Sequence, residues 1–271
     1  MADDFLLCST LRYDRQLTTA RSQGLKHARW NFEHESPIYL LDYHRDRLLK
    51  AASHWGWKHA VESLQGPSGL ESLSRGLQEL IGTSQESPLR LRILVDRQGD
   101  IKYEKYDVPD VPLPQLFPRR LPSPGMESSA EEPPKQPEYV VVIDGTRTER
   151  SPHTHFKTTH RPAYDAACQR ASMAPGELKE VLTVNAAGYV MEGTRTTPYL
   201  WRKGRWVTPP VSSEGFSLEH GSGGQDGVSR RWALECGIVE QEPVAANALV
   251  DGEECWLSNG ARGFMFARIQ L

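Results

Sequence analysis

The sequence has no apolar run near the ~20 residues that cross a bilayer, which excludes a membrane-spanning helix. Excess base is also missing. A formal net charge of −3 leaves no broad basic surface of the kind that nucleic acid or an anionic membrane requires. Cysteine is sparse, and Cys8, Cys168, Cys236 and Cys255 form no Cys-x-x-Cys pair, so a disulfide scaffold is excluded and the thiols read as buried and free. Met1-Ala2-Asp3-Asp4 carries acid where a secretory or mitochondrial leader carries base, which predicts a cytoplasmic protein. There is no internal repeat.

What is present suits a globular chain with a core: 271 residues, 38% hydrophobic and 25% charged. That length predicts two domains of roughly 100–150 residues each. Nine of the 19 prolines fall within residues 108–137. Proline fixes its own φ and lacks an N–H, so this stretch is expected to hold neither helix nor central strand. It reads as an interdomain connector over 111–137, with a mobile middle at Met126–Pro134, between a small α+β domain (1–110) and a strand-rich domain (138–271).

In the first half, Phe5–Tyr13 reads as a strand and Leu40–Trp57 as a helix, from its apolar positions Leu41, Leu48, Leu49, Ala52 and Trp55. A second helix is expected at about Gly69–Ile81. Leu89–Val95 and Ile101–Asp107, around Arg97-Gln98-Gly99-Asp100, read as a hairpin. In the second half, strands are predicted at Tyr139–Ile143, Glu180–Val184, Tyr189–Glu192, Tyr199–Arg202, Arg205–Val207, Glu254–Leu257 and Phe264–Ile269. Helices are predicted at Ala163–Ser172, after Pro162, and at 228–236, ended by Gly237. The fold class is α+β, with a barrel-like sheet in the second half.

Four segments carry the chemistry. Lys157 lies in His155-Phe156-Lys157-Thr158-Thr159-His160-Arg161. With His153, the histidines raise the question of a metal, but no carboxylate or cysteine stands at ligand spacing, and none is expected. On an extended strand, His155 and Lys157 would share a face. Glu192 ends a strand just before Gly193-Thr194. Gly227-Val228-Ser229-Arg230 follows the loop Gly221-Ser222-Gly223-Gly224 and opens a helix, where free N–H groups and a hydroxyl suit a phosphate. Arg47 could add a guanidinium to that phosphate. A lysine, a carboxylate and a phosphate-binding helix start, in this order, are what pyridoxal 5'-phosphate needs: an amine for its aldehyde, a partner for its ring nitrogen and donors for its phosphate.

The same order, from Thr10-Leu11-Arg12 through His44–Leu48, Lys157, Glu192-Gly193-Thr194 and Gly227–Arg230 to Asn259–Gly263, resembles the fold-type IV pyridoxal-phosphate enzymes, the class IV aminotransferase family. Thr-Leu-Arg-Tyr near the start, Lys-Thr-Thr-x-Arg around Lys157 and Ser-Asn-Gly-Ala-Arg-Gly near the end resemble its aminodeoxychorismate lyases of fungal type. The resemblance implies a two-domain fold, with Lys157 as the Schiff-base lysine and Arg47, Gly227, Val228 and Ser229 on the phosphate. It implies Glu192 on the pyridine nitrogen, Gly260 and Ala261 beside the cofactor, and Thr10 facing the substrate as a second catalytic group. Arg12, Asn259 and Arg262 become the candidates for binding a substrate with two carboxylates.

The resemblance further implies a homodimer and a lyase that releases pyruvate to form 4-aminobenzoate in folate synthesis, functionally linked to aminodeoxychorismate synthase. A class IV transaminase acting on D-amino acids, branched-chain amino acids or amines is the alternative, and a non-catalytic relative is a further one. The chain departs from the family pattern at Val228-Ser229 for Ile-Thr, at Gln225 where an apolar residue is usual, and at Arg195-Thr196-Thr197 where aminotransferases often carry Ser-Asn.

Overall fold

A computed structural model of the chain describes residues 4–212 and 214–271, so Met1-Ala2-Asp3 of the acidic N-terminus lie outside it. Contacts divide the chain into two units. The first holds the chain up to Leu113 together with Phe156–His160 and Gly260–Arg262; the second holds Pro114–His155, Arg161–Asn259 and Gly263–Leu271. The α+β class expected from the sequence is the class observed.

In the first unit, strands β1 (Leu7–Tyr13), β2 (Leu89–Val95) and β3 (Ile101–Asp107) form an antiparallel sheet in that order. Every residue of β1 except Thr10 is buried. It is an edge strand by sheet order, but its other side is covered: Leu7 bridges to Thr158 and Tyr13 to Ile38. The true edge is β3, which ends the sheet with exposed Lys105, Tyr106 and Asp107, side chains that discourage further strand pairing. Helix α1 (Trp30–His34) is a short turn around buried Asn31. Helix α2 (Leu41–His54) follows, and Trp55 and positive-φ Gly56 end it earlier than its apolar pattern suggests. The sequence reading missed α3 (Lys58–Leu64), whose seven residues are too few to display a period. Helix α4 (Gly66–Ile81) buries Leu73, Leu77 and Ile81 at helical spacing. It begins on positive-φ Gly66 with Pro67 next, and Gly69 lies so close to α3 that a Cβ would meet the Leu64 carbonyl at 2.4 Å.

At the boundary between the units stands α5 (Leu113–Leu116), a short helix inside the proline-rich stretch where none was expected. That stretch is not loose either. The Trp206 indole donates to the Leu121 carbonyl at 3.1 Å, Glu132 pairs with Arg120 and accepts from the Ser129 N–H at 2.8 Å, and Lys135 pairs with Glu254 at 2.8 Å. Polar side chains between the prolines thus make specific contacts along the connector.

Strands β4 (Tyr139–Arg147), β5 (Lys179–Val184), β6 (Val190–Gly193), β7 (Thr197–Arg202), β8 (Arg205–Thr208), β9 (Glu240–Gln241), β10 (Glu254–Asn259) and β11 (Gly263–Ile269) form one curled mixed sheet in the order β6-β5-β4-β11-β10-β7-β8-β9. Its apolar side includes Val141, Leu182, Val190, Leu200, Val207, Leu257 and Ala267. Helices α6 (Pro152–His155), α7 (Pro162–Arg170) and α8 (Val228–Glu235) accompany it. His155 therefore ends a helix and does not share an extended strand with Lys157; the inferred common face is withdrawn. No helix among the described residues is long and apolar enough to cross a membrane.

Candidate active site

The first unit places Lys157, Arg47, Thr10, Arg12, Gly260, Ala261 and Arg262, and the second Glu192, Gly227, Val228, Ser229 and Asn259. In the first unit Lys157 lies on a segment clipped to the start of β1. Its carbonyl accepts from the Cys8 N–H at 3.0 Å, the Thr159 N–H donates to the Leu6 carbonyl at 2.9 Å, and the Leu6 N–H donates to Thr159 Oγ1 at 2.9 Å. Buried Phe156, just before it, packs its ring on Trp55 and His54. The backbone on either side of the half-buried lysine is thereby fixed.

Behind it Arg47, a residue expected from the sequence, meets two that the sequence did not single out, Ser9 and His44. Arg47 donates from Nη2 to Ser9 Oγ at 2.7 Å, and Ser9 Oγ lies 2.8 Å from His44 Nδ1. Ser9 Oγ, which accepts from the guanidinium, thus joins Arg47 to the His44 ring. Burial, then the charges of Arg47 and Lys157, hold the His44 pKa well below its ordinary value, so this ring is neutral. Its Nε2 is buried without a hydrogen-bond partner. Gly260 packs on the same ring: a Cβ there would meet the Thr10 carbonyl oxygen at 2.7 Å and His44 Cε1 at 2.8 Å, which only glycine avoids. Lys157, Arg47, Thr10 and Gly260 are thus gathered around Ser9 and His44. A visible signal did exist: His44 and Arg47 are three apart on α2 and must share a face.

Arg12 does not fit its expected role. It is 0% exposed, pairs with Asp14 at 2.7 Å, and donates to the carbonyls of Pro109 at 3.0 Å and Ala261 at 3.2 Å. A guanidinium so engaged holds the turn at residues 260–262 in place, and Asp14 already supplies its carboxylate. Arg262 and Asn259 are half-buried.

In the second unit Glu192 lies near the end of β6. The buried Tyr164 hydroxyl of α7, 2% exposed, hydrogen-bonds its Oε1, and Thr183 Oγ1 donates to its carbonyl at 3.0 Å. Gly224 crosses directly over this point, where a Cβ would come within 2.7 Å of the Met191 carbonyl oxygen and 3.1 Å of Glu192 Cβ. The bend after Glu192 is held by Glu180 of β5, whose carboxylate accepts from the hydroxyls of Thr194 and Thr196, each at 2.7 Å. Arg230 of α8 is buried, donates to Gln241 at 2.6 Å and the Pro209 carbonyl at 3.0 Å, and pairs with Asp226 at 3.1 Å. Burial draws its pKa down; Asp226 first, then Tyr199 and Glu192, oppose that.

Helix α8 begins on Gly227, which has no side chain to cap the first N–H groups. Ser229, two residues on, is 1% exposed, and its hydroxyl has no hydrogen-bond partner. Buried hydroxyls are seldom left so, and the arrangement suits an incoming anion.

The family described as amino-transferase class IV matches residues 29–269. Aminodeoxychorismate lyase of Saccharomyces cerevisiae is 26% identical over 263 residues, covering 83% of this chain and 66% of that protein. The chain thus spans just under two thirds of this curated relative's length. A Mesorhizobium loti structure assigned as an amino-acid aminotransferase superposes with a TM-score of 0.66 at 19% identity, over 98% of this chain and 100% of that one. A structure assigned as a 4-amino-4-deoxychorismate lyase gives 0.63 at 21% identity, over 97% and 84%. At these identities the likeness establishes the fold.

Proposed function

The chain belongs to the amino-transferase class IV family, a family of enzymes, and we propose that it binds pyridoxal 5'-phosphate and acts as a 4-amino-4-deoxychorismate lyase. One observation carries the cofactor reading: the Ser229 hydroxyl is buried without a partner at an uncapped helix start, a set of donors waiting for a phosphate. Arg47, oriented by Ser9, is the guanidinium proposed for the same dianion. Glycine at 260 is required by Thr10 and His44, which keeps that turn close and free of side-chain bulk.

When bound, pyridoxal phosphate supplies an aldehyde carbon that condenses with amines and a pyridinium ring that accepts the electron pair left when a neighbouring carbon loses its proton. Lys157 supplies the tethering amine. Lys157 Nζ would also be the base that removes the proton from the substrate carbon bearing the amine. Glu192 holds the proton on the ring nitrogen. The bond between the substrate ring and the enolpyruvyl oxygen then breaks, the ring becomes aromatic, and the departing group takes up a proton to leave as pyruvate. The Thr10 hydroxyl, on the only residue of β1 that is not buried, is the proposed donor, with Lys157 itself or water as the alternatives. With Arg12 engaged, Arg262 and Asn259 remain for the substrate's carboxylates.

The Saccharomyces cerevisiae relative supports lyase over transaminase. We also propose a homodimer in the cytoplasm that receives its substrate from aminodeoxychorismate synthase. The test is a visible spectrum of the purified protein with pyridoxal phosphate, followed by addition of enzymatically made aminodeoxychorismate. Yellow protein that releases 4-aminobenzoate and pyruvate, with a loss of at least about 10²–10⁴-fold in Lys157→Ala, is the expected result. Yellow protein that bleaches with an amino donor alone and gives no aminobenzoate would make it a transaminase. Colourless protein would overturn the cofactor reading.

A further inference from the structure

Two of the chain's departures from the family pattern, at 195–197 and at 228–229, lead to one place in the second unit, the start of α8. Gly227, the residue before its first turn, has φ −65° and ψ 142°, a conformation open to any residue, so the backbone does not call for glycine there. Space does: a Cβ would meet Thr197 Oγ1 of β7 at 2.9 Å. The hydroxyl that serine or threonine would supply as residue 227 is thus replaced by one reaching in from a strand. We propose that Thr197 is a further cofactor-binding residue, its hydroxyl donating to the phosphate of pyridoxal 5'-phosphate beside Ser229 and the first N–H groups of α8.

Thr197 is 8% exposed, and its hydroxyl takes part in no hydrogen bond among the described residues. Buried hydroxyls are seldom left so. The two hydroxyls beside it are engaged elsewhere. Ser258, its partner in register on β10, is bonded to the Tyr199 hydroxyl at 2.8 Å, and Thr196 donates to Glu180 at 2.7 Å. Ser229, 1% exposed, is also without a partner. Two buried, unpartnered hydroxyls, at a helix start that lacks a capping side chain, match a ligand made of acceptors. A phosphate dianion is such a ligand, since its oxygens accept from O–H and N–H alike.

The carboxylate of Asp226, one residue before Gly227, would oppose an anion, and Arg230 pairs with it at 3.1 Å. The Arg230 guanidinium is itself held by Gln241 and the Pro209 carbonyl, so its charge stays beside Asp226.

The inference rests on the proposed use of the α8 start for the cofactor's phosphate. Its test compares ligands with and without that group. Dissociation constants are measured for pyridoxal 5'-phosphate and for pyridoxal by absorbance. That of inorganic phosphate is measured from the phosphorus-31 resonance, with the cofactor-free full chain at fixed ionic strength. Thr197→Val keeps the shape of the side chain and removes the hydroxyl. It should weaken pyridoxal 5'-phosphate and inorganic phosphate about tenfold each, the loss of one hydrogen bond to a charged group, and leave pyridoxal unchanged. Thr197→Ser should restore most of that loss. A Thr197→Val protein that holds both phosphate-bearing ligands as tightly as the unaltered one would overturn the inference. So would an equal loss for pyridoxal, which marks a change of shape and not a lost phosphate contact. Should Thr197→Val fail to fold, Thr197→Ala against Thr197→Ser makes the same comparison. An unaltered protein that stays colourless with pyridoxal 5'-phosphate overturns the proposed function, and the inorganic phosphate titration still decides Thr197.

Discussion

Two buried side chains show how much a single residue decides. His44 is neutral because a charged ring would have to leave water beside Arg47 and Lys157. In the unfolded chain it titrates near the ordinary value of 6.5, whereas the folded protein resists the proton. The stabilisation is therefore complete above pH 6.5 and is lost as pH falls below it, at up to about 1.4 kcal/mol per pH unit. His54 shifts in the same direction, so the effect must be read as a difference. His44→Asn, whose side-chain oxygen can still accept from Ser9, should flatten the decline in urea-unfolding free energy between pH 6.5 and 5. Equal slopes in the variant and the unaltered protein would refute the assignment. The second residue is Arg12, whose burial and four polar contacts make it an anchor for the turn at 260–262.

At the scale of elements, the bend between β6 and β7 rests on one carboxylate of β5. Glu180 Oε1 accepts from the Val181 N–H at 2.8 Å and the Thr194 hydroxyl, and its Oε2 accepts from the Arg195 N–H at 3.2 Å and the Thr196 hydroxyl. Whichever oxygen Glu180→Gln replaces with an amide group, a backbone N–H is left facing a donor. Hydroxyls can rotate away from that conflict, but a backbone amide cannot. The variant should lose about 1–3 kcal/mol of unfolding free energy and loosen the backbone after Glu192, seen as faster amide exchange at residues 193–196. Unchanged exchange there would show that the bend is held by the strands alone. Elements of this kind were partly legible in advance. Hairpin β2–β3, the turn at Asn185–Gly188 and helix α8 carry their own period and turn residues, and the structure has them within a few positions of expectation. Glu192 and Ser229 were legible for the same reason, since each stands at a local boundary. The hold of Glu180 on the bend and the bond from Tyr164 to Glu192 were not, because they join residues from separate elements that no local pattern relates.

For the whole molecule, the units do not correspond to halves of the sequence. The first takes back Phe156–His160 and Gly260–Arg262 from the later chain, so a cut at the Leu113–Pro114 boundary removes part of it. What it removes is specific. β1 loses the Lys157 carbonyl that accepts from the Cys8 N–H and the Thr159 groups bonded to Leu6, and the Trp55 ring loses Phe156. Those losses bare a strand edge composed of Phe5, Leu6, Leu7 and Cys8, which favours pairing with other chains. A fragment of residues 1–113 is therefore expected to melt lower than the corresponding transition of the full chain, to aggregate, and to lose exchange protection at the Cys8 amide. Adding back a peptide of residues 154–162 should restore that protection in part, because it returns the missing acceptor. The same reasoning explains why Lys157 sits where it does: its segment is fixed by pairing to the first strand of the chain, not by its neighbours in sequence. A fragment as protected and as stable as the full chain would show that β1 needs no such cover, and the fixed backbone proposed for Lys157 would have to come from elsewhere.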